Sequence, residues 1–265
     1  MSDAALEDGE SVVLIDRRGR RYLKTLRAGH RMTIRSSVVA ADDLIGRPEG
    51  TVVASGEPER FTAYRPTYAE LVPLLTRPAE PMFAKDAGLV LVRGDIRPHH
   101  TVIEVGAGPG AMSMALLRVV GAAGRLITYE AREDFAATAR ANVESYERSV
   151  RNWQIKVRDA RDGFDERGVD RIFADMPEPA SLLAPVADAL RAGGLFTSYV
   201  PTVLQVKELH DSVAESAAFA YPETFELLER SWHVESRSIR PDHRMIGHTG
   251  FLTVVRRTGA QTSTP

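Results

Sequence analysis

The sequence predicts an α/β protein with a mostly parallel sheet, helices on both faces, an antiparallel C-terminal hairpin and a small N-terminal β module. Three observations carry this. From about Lys85 onward, short apolar runs alternate with helically spaced segments, the pattern of consecutive βα units. The last two β segments have no helical pattern between them, so they pair antiparallel. The first 70 residues hold strand-like pieces and turn signals.

Within the module, SVVLID and RRYLKTL read as two strands joined by a turn at Arg18-Gly19. Further strand-like pieces lie near 32–39 and 50–54, separated by DDLIG and RPEG. RPTYAELVPLLTRPAEP follows as a Pro-punctuated linker with one short helix. TVIEV (101–105) is then the first strand of the sheet, and AMSMALLRVVG the helix after it. RLITYE (125–130) and EDFAATARANVESYE form the next strand and helix, with Asp134 in the first turn where acids favour the helix dipole. WQIKVRD (153–159) and VDRIFAD (169–175) are the third and fourth strands. ASLLAPVADALRAGG reads as a helix stopped by Gly-Gly, and GLFTSYV (194–200) as the fifth strand. A helix near 203–216 precedes the last two β segments, about 223–238 and 250–257. Trp153 and Trp232 fall in strand patterns and read as packing residues. The boundaries expected are a β domain over 1–70, a linker over 71–84, the α/β domain over 85–258 and a disordered tail over 259–265.

Composition narrows the function. Apolar residues are 43% of the 265, enough for a sizeable core. The absence of cysteine removes disulfides, thiolate nucleophiles and Cys-ligated zinc. The seven histidines are dispersed, so no metal site is expected. No apolar run approaches the roughly 20 residues of a membrane span, and the N-terminus is acidic rather than signal-like. A soluble cytoplasmic protein is the expectation. Nothing like G-x-S-x-G occurs, so a hydrolase reading has no support.

The sharpest motif is Glu104-Val105-Gly106-Ala107-Gly108-Pro109-Gly110, between a strand and a helix. Glycines there permit a tight turn and close approach of backbone to a ligand at the sheet's carboxyl edge. A dinucleotide fingerprint would be G-x-G-x-x-G; here the third glycine comes one residue early and Pro109 removes an N–H. A P-loop ending is absent. The spacing suits S-adenosylmethionine, whose amino-acid part carries no phosphate. Glu104, Gly106, Gly108, Gly110, Ala111 and Met112 are therefore candidate cofactor residues. Glu130 ends the second strand about 20 residues past the loop, where an acid accepts ribose hydroxyls. Asp159 ends the third, placed for the adenine amino group of the cofactor.

The fourth strand ends in Asp175-Met176-Pro177-Glu178-Pro179, with two prolines stiffening the loop. An acceptor at Asp175 suits a substrate with an exocyclic amine beside the atom methylated. The lone pair of adenine N1 is free at neutral pH, so no strong base is needed. Methyl transfer makes the ring positive and its 6-amino group more acidic. A carboxylate bonded to that group is favoured more in the transition state than in the ground state. Asp175 is the candidate catalytic residue and also touches the cofactor side.

With these residues in hand, the chain resembles the bacterial and archaeal tRNA (adenine-58-N1)-methyltransferase family, TrmI. The matching blocks are RRGRRYLKTL, DDLIG-x-PEG, AKDAG, EVGAGPGA, YEAREDFAATARANVE, VDRIFADMPEP, SYVPTVLQV and RPDHRMIGHTGFLTVVRR. The resemblance implies a Rossmann-like class I methyltransferase domain with a seven-stranded sheet, S-adenosylmethionine as donor, tRNA as substrate and a homotetramer. It also implies that Asp175 is the catalytic aspartate, that Glu130 and Asp159 hold the cofactor, and that Tyr199 lines the adenine pocket. His243 and Arg244, in the last block, stand as substrate-side candidates, and Phe83 can stack on a base. Phe83-Ala84 replaces a usual Tyr-Pro, Ala180 a usual Trp, and Pro109 a usual Ser. Those departures keep a second acceptor class, a small molecule or peptide, in view.

The stretch 17–35 carries eight Lys/Arg and no acid. Beside a tRNA methyltransferase it reads as a platform for the RNA backbone, with Arg20 and Arg21 as candidates, because Lys and Arg neutralise phosphates without reading sequence.

Overall fold

The computed structural model describes residues 4–55, 59–76, 80–147 and 150–259. The chain divides into two compact units, Met1–Thr76 with Ala141–Arg148, and Arg77–Arg140 with Ser149–Pro265. Residues 260–265 of the expected tail lie outside the described residues.

The first unit contains β1 (Ser11–Asp16), β2 (Arg21–Thr25), β3 (Arg31–Ile34), β4 (Ser37–Ala40), β5 (Val52–Ala54), β6 (Arg60–Tyr64) and α1 (Tyr68–Leu71). Its four-stranded antiparallel sheet has the order β2-β1-β6-β5, and β3-β4 form a separate hairpin. Val12, Leu14, Leu26, Ile34 and Phe61 meet in its core, which is why the apolar β1 sits centrally. One expectation is corrected here. The segment 32–39 is not one strand but a hairpin, turned at Arg35-Ser36, with Arg35 at φ +55. β6, which closes the sheet, carried no recognised signal.

In the second unit, α2 (Ala84–Arg93) precedes β7 (Thr101–Val105), α3 (Ala111–Val120), β8 (Arg125–Glu130) and α4 (Glu133–Tyr146), whose last residues group with the first unit. Then come β9 (Trp153–Val157), β10 (Val169–Asp175), α5 (Leu183–Ala189), β11 (Leu190–Val200) and α6 (Val203–Glu215). The chain finishes with β12 (Phe219–Phe225), β13 (Trp232–Glu235), β14 (Ser238–Pro241) and β15 (Phe251–Arg257).

The seven strands run in the order β12-β15-β11-β10-β7-β8-β9. All pairings from β11 to β9 are parallel, while β15 lies antiparallel between β11 and β12. The expected Rossmann-like architecture is present. Ile103, Ile127, Ile172 and Phe196 face α5 and α6 through Val186, Leu209 and Val213. On the other face Ser113 of α3 reaches Glu104 of β7. Strand order reverses between β7 and β10, which opens a crevice at their carboxyl ends.

Three local readings are corrected. Gly193-Gly194 does not cap a helix: α5 ends at Ala189, and the glycines lie in an irregular start of β11, with Gly193 at φ +75. Glycine serves a strand irregularity as readily as a helix stop. The segment 223–238 is split between β12 and the hairpin β13-β14. Trp232, on that hairpin, is 58% exposed rather than a packing residue.

Candidate active site

The glycine loop is built by steric necessity. Gly106 takes φ +86, and a β-carbon there would stand 2.4 Å from the backbone oxygen of Asp175. Only glycine lets the ends of β7 and β10 come this close. Gly110, at φ +85, forms the N-cap of α3, and the Gly106 N–H donates to Tyr129 O at 2.9 Å.

Behind the loop, Glu104 is fully buried. Its Oε2 accepts from Ser113 Oγ (2.5 Å) and Thr128 Oγ1 (2.7 Å), whereas Oε1 has no hydrogen-bond partner. Dehydration pushes this carboxyl up to about 8, with the negative charges of Asp175 and Glu130 adding to it and outweighing the two hydroxyl bonds.

The crevice itself holds about 690 Å³ of open space and is lined from four successive strand ends. β7 gives Val105 and Gly106, β8 gives Tyr129 to Arg132, β9 leads to Arg158–Arg161, and β10 gives Asp175 to Pro177. Glu130 Oε2 accepts from the Ala107 N–H at 3.0 Å, tying the second strand to the glycine loop, and its Oε1 accepts from the backbone N–H and the Nε of Arg132. Asp175 is reachable from the crevice although protein surrounds it on most sides. That partial dehydration, with the charge of Glu130, pushes its carboxyl up to about 6. No side-chain hydrogen bond engages it among the described residues. Asp159 differs, since both of its oxygens face Arg161 (Nη2–Oδ2 2.6 Å, Nε–Oδ1 3.0 Å), which holds it below the usual carboxylate range.

Of the candidate cofactor residues, Gly106, Glu130, Asp159 and Asp175 line the crevice. Glu104, Gly108, Gly110, Ala111 and Met112 form the loop and helix start behind it. Glu130 and Asp159 are held by Arg132 and Arg161 on the same wall, which leaves Asp175 as the lining acid without an arginine partner among the described residues, suited to a positive charge beside it.

Tyr199 is the parallel-strand neighbour of Asp175 in the register of β10 and β11. Its hydroxyl donates to Asp86 Oδ2 at 3.0 Å, at the start of α2. Asp86 also accepts from Thr249 Oγ1 (2.8 Å) and Lys85 Nζ (2.7 Å), and Lys85 reaches the Leu227 carbonyl and Thr249 Oγ1 as well. Burial pushes the Tyr199 phenol well above the ordinary tyrosine range. Residue-level reasoning missed Lys85, Asp86 and Thr249. The only signal for the first two was their place in the AKDAG block.

Phe83, at the N-cap of α2, is 38% exposed and available for stacking. Ala180 packs half-buried against the main core. A residue there faces the core, so the change at this position bears on packing. His243 and Arg244 are exposed between β14 and β15 and do not line the crevice. His248, in the same segment, places Nδ1 2.7 Å from Glu226 Oε1 and Nε2 2.7 Å from the Pro201 carbonyl. Two acceptors favour the doubly protonated ring and push its pKa up. On the N-terminal unit Arg20 is bound to Asp16 and Arg21 to Glu70, so both platform candidates already hold an acidic partner. Among the described residues no cluster of three or more His, Asp or Glu could hold a metal, and no helix is long and apolar enough to cross a membrane.

Comparison with known proteins agrees with this geometry. Residues 72–243 match the family model described as tRNA methyltransferase complex GCD14 subunit, and residues 5–53 match TrmI-like N-terminal. The chain is 31% identical to the tRNA (adenine(57)-N(1)/adenine(58)-N(1))-methyltransferase TrmI of Methanocaldococcus jannaschii, over 92% of this chain and 94% of that one. It is 32% identical to the tRNA (adenine(58)-N(1))-methyltransferase TrmI of Thermus thermophilus, over 93% and 96%. Among solved structures, a SAM-dependent O-methyltransferase from Thermotoga maritima aligns with TM-score 0.90 and 27% identity, covering 96% of this chain and 95% of that one. The tRNA (m1A58) methyltransferase TrmI from Aquifex aeolicus aligns with TM-score 0.82 and 28% identity, covering 97% and 100%. With the glycine loop, the acids at the strand ends and these matches over almost its whole length, the chain belongs to the GCD14/TrmI family of tRNA methyltransferases.

Proposed function

We propose that this protein methylates N1 of adenine 58 in the T-loop of tRNA, using S-adenosylmethionine, in the cytoplasm and as a homotetramer. The observation that carries the reading is Asp175, an unengaged carboxylate at the floor of the crevice, one strand from Tyr199. The relatives' names supply the substrate.

The residues fit the donor. Gly106 lets the glycine loop close against the Asp175 backbone at the edge of the crevice, and Glu104 carries an orphaned buried oxygen behind the loop. The unengaged Asp175 carboxylate complements a sulfonium placed beside it. S-adenosylmethionine supplies an electrophilic methyl group when bound. Gly106, Glu104 and α3's first turn would hold its amino-acid end, Glu130 its ribose hydroxyls and Asp159 its adenine, with Arg161 yielding part of that carboxylate.

On the acceptor side, Asp175 accepts a hydrogen bond from the 6-amino group and so orients N1. As N1 gains its methyl, the amino protons grow more acidic, and the bond to Asp175 strengthens when the ring becomes cationic. Tyr199 walls the base, Phe83 stacks, and His243 and Arg244 meet the RNA. A base in folded tRNA must leave its stack to arrive here, which calls for contacts beyond the crevice. The basic stretch 17–35 supplies them.

The test incubates the protein with S-adenosylmethionine and an unmodified tRNA transcript, and reads nucleosides by mass spectrometry. 1-Methyladenosine in the wild-type transcript and none in one carrying guanine at position 58 is the expected result. Cofactor binding without any methylated tRNA would overturn the reading. Light scattering checks the tetramer.

A further inference from the structure

We propose that a pocket in the N-terminal unit, at the β1–β2 turn, is a binding site for one phosphodiester of an RNA strand, held by the side chains of Arg18 and Arg35. The inference rests on the tRNA reading for the identity of the strand, and on the pocket itself for everything else.

The pocket is an open recess with about 480 Å³ of free space, solvent at its mouth included. The β1–β2 turn and the β3–β4 turn both border it, so residues distant in sequence share one wall. Its apparent acid, Asp16, is not available to a ligand. It is buried and already accepts from the Arg18 N–H (2.9 Å), the Arg20 N–H (3.0 Å), Arg20 Nε (2.5 Å) and the Tyr22 hydroxyl (3.3 Å). These bonds shape the turn and pair Arg20 with Asp16 through its Nε.

Arg18 and Arg35 are different. Both line the pocket, both are exposed, and neither side chain has a hydrogen bond or ion pair among the described residues. Arg35 stands at φ +55, a left-handed position that disfavours any residue with a β-carbon. An unpaired guanidinium is thus held at a strained turn, and a second one lines the same pocket. A phosphate between them would relieve their repulsion and accept charge-assisted hydrogen bonds from both. The hydroxyls of Ser36 and Ser37 border the same space.

Charge selects the ligand further. Arg18, Arg20 and Arg35 line the pocket with Asp16 and Glu59, a balance of one positive charge. That matches the monoanion of a chain phosphodiester. A terminal phosphate or a free nucleotide, being a dianion, exceeds that balance. The expectation that Arg20 and Arg21 are the phosphate contacts is thereby refined, because their acids hold them while Arg18 and Arg35 stay open.

The test titrates unmodified tRNA into the full-length protein by fluorescence anisotropy, over a series of salt concentrations. Arg18→Ala with Arg35→Ala should weaken binding about tenfold and lower the slope of log K against log salt by about one, the amount expected for one lost phosphate contact. Glu59→Gln should tighten binding. An unrelated RNA oligonucleotide should compete more weakly in the double variant, whereas inorganic phosphate and a nucleoside monophosphate should not displace RNA from the wild type. Circular dichroism confirms that the variants fold. A double variant with wild-type affinity and salt slope overturns the proposal, as does displacement by inorganic phosphate, which would mark a free-phosphate site. If that happens while the wild type still makes 1-methyladenosine, the pocket fails and the methylation reading stands. A wild type that neither binds nor methylates tRNA sinks both.

Discussion

The hydroxyl of Tyr199 donates to Asp86 at 3.0 Å across 113 residues of sequence. This bond fixes the aromatic ring next to Asp175, because Tyr199 and Asp175 are paired on adjacent parallel strands. Asp86 is 1% exposed and takes donors from Lys85 and Thr249 as well, so the network is closed on itself.

Removing the anion from this network is therefore expensive. Asp86→Ala strands the buried Lys85 ammonium, and stability should fall by about 3–5 kcal/mol in a denaturant titration. Tyr199→Phe removes one donor and keeps the ring, with an expected loss of about 1–2 kcal/mol and little change in KM for tRNA. Tyr199→Ala should raise that KM instead. Equal KM values for the two Tyr199 variants would show that the ring does not wall the base.

The two inner loop glycines should respond differently to alanine. Gly108 has φ +51 and open space where a methyl group would be added, so Gly108→Ala costs about 1–2 kcal/mol of backbone strain alone. Gly106→Ala adds a clash with the Asp175 backbone at 2.4 Å. Calorimetry with S-adenosylhomocysteine should show at least tenfold weaker binding for Gly106→Ala than for Gly108→Ala, about 1.4 kcal/mol.

Asp175 must be ionised to accept from the 6-amino group, and its carboxyl is pushed up to about 6. The kcat/KM for tRNA should therefore climb about tenfold per pH unit below that value and level off above it. A rate profile flat from pH 5 to 8 would contradict a rate governed by an Asp175 carboxyl raised to about 6.

Glu104 makes the opposite statement about stability. Its folded-state carboxyl ionises only near 8, against an ordinary value of 4.5. Below 4.5 it is protonated in both folded and unfolded chains and costs nothing. Between 4.5 and about 8 only the unfolded chain releases the proton, so stability contributed by this group falls as pH rises through that window. Glu104→Gln should flatten this dependence and raise the Tm at pH 8, by roughly 2–4 °C for each kcal/mol relieved. A Tm gain as large at pH 4 as at pH 8 would assign the effect to packing.

Local signals account for what could be read in advance. The glycine loop, Glu130 and Asp175 were legible because strand, turn and strand-end acid follow one another in the chain. The parallel sheet was legible for the same reason, since each βα unit announces itself. What stayed hidden depends on contacts between distant residues. Arg20 and Arg21 read as free cations because Asp16 is claimed only once the turn closes, and Glu70 lies 49 residues from Arg21. Asp159 gave no hint that Arg161 would grip both its oxygens. Ala180, in place of a usual Trp, pointed to a change of acceptor, whereas its side chain packs against the core. Arg35 occupies a turn position that its side chain disfavours.

The most direct measurement compares Asp175→Asn with wild type on two axes, S-adenosylhomocysteine affinity by calorimetry and single-turnover methylation of adenine 58. The variant keeps the shape and loses the charge, so cofactor affinity should stay near wild type while kcat and kcat/KM fall together by about 10²–10³. Methylation of adenine 58 by the variant at close to the wild-type rate would contradict the assignment of Asp175 to the chemistry.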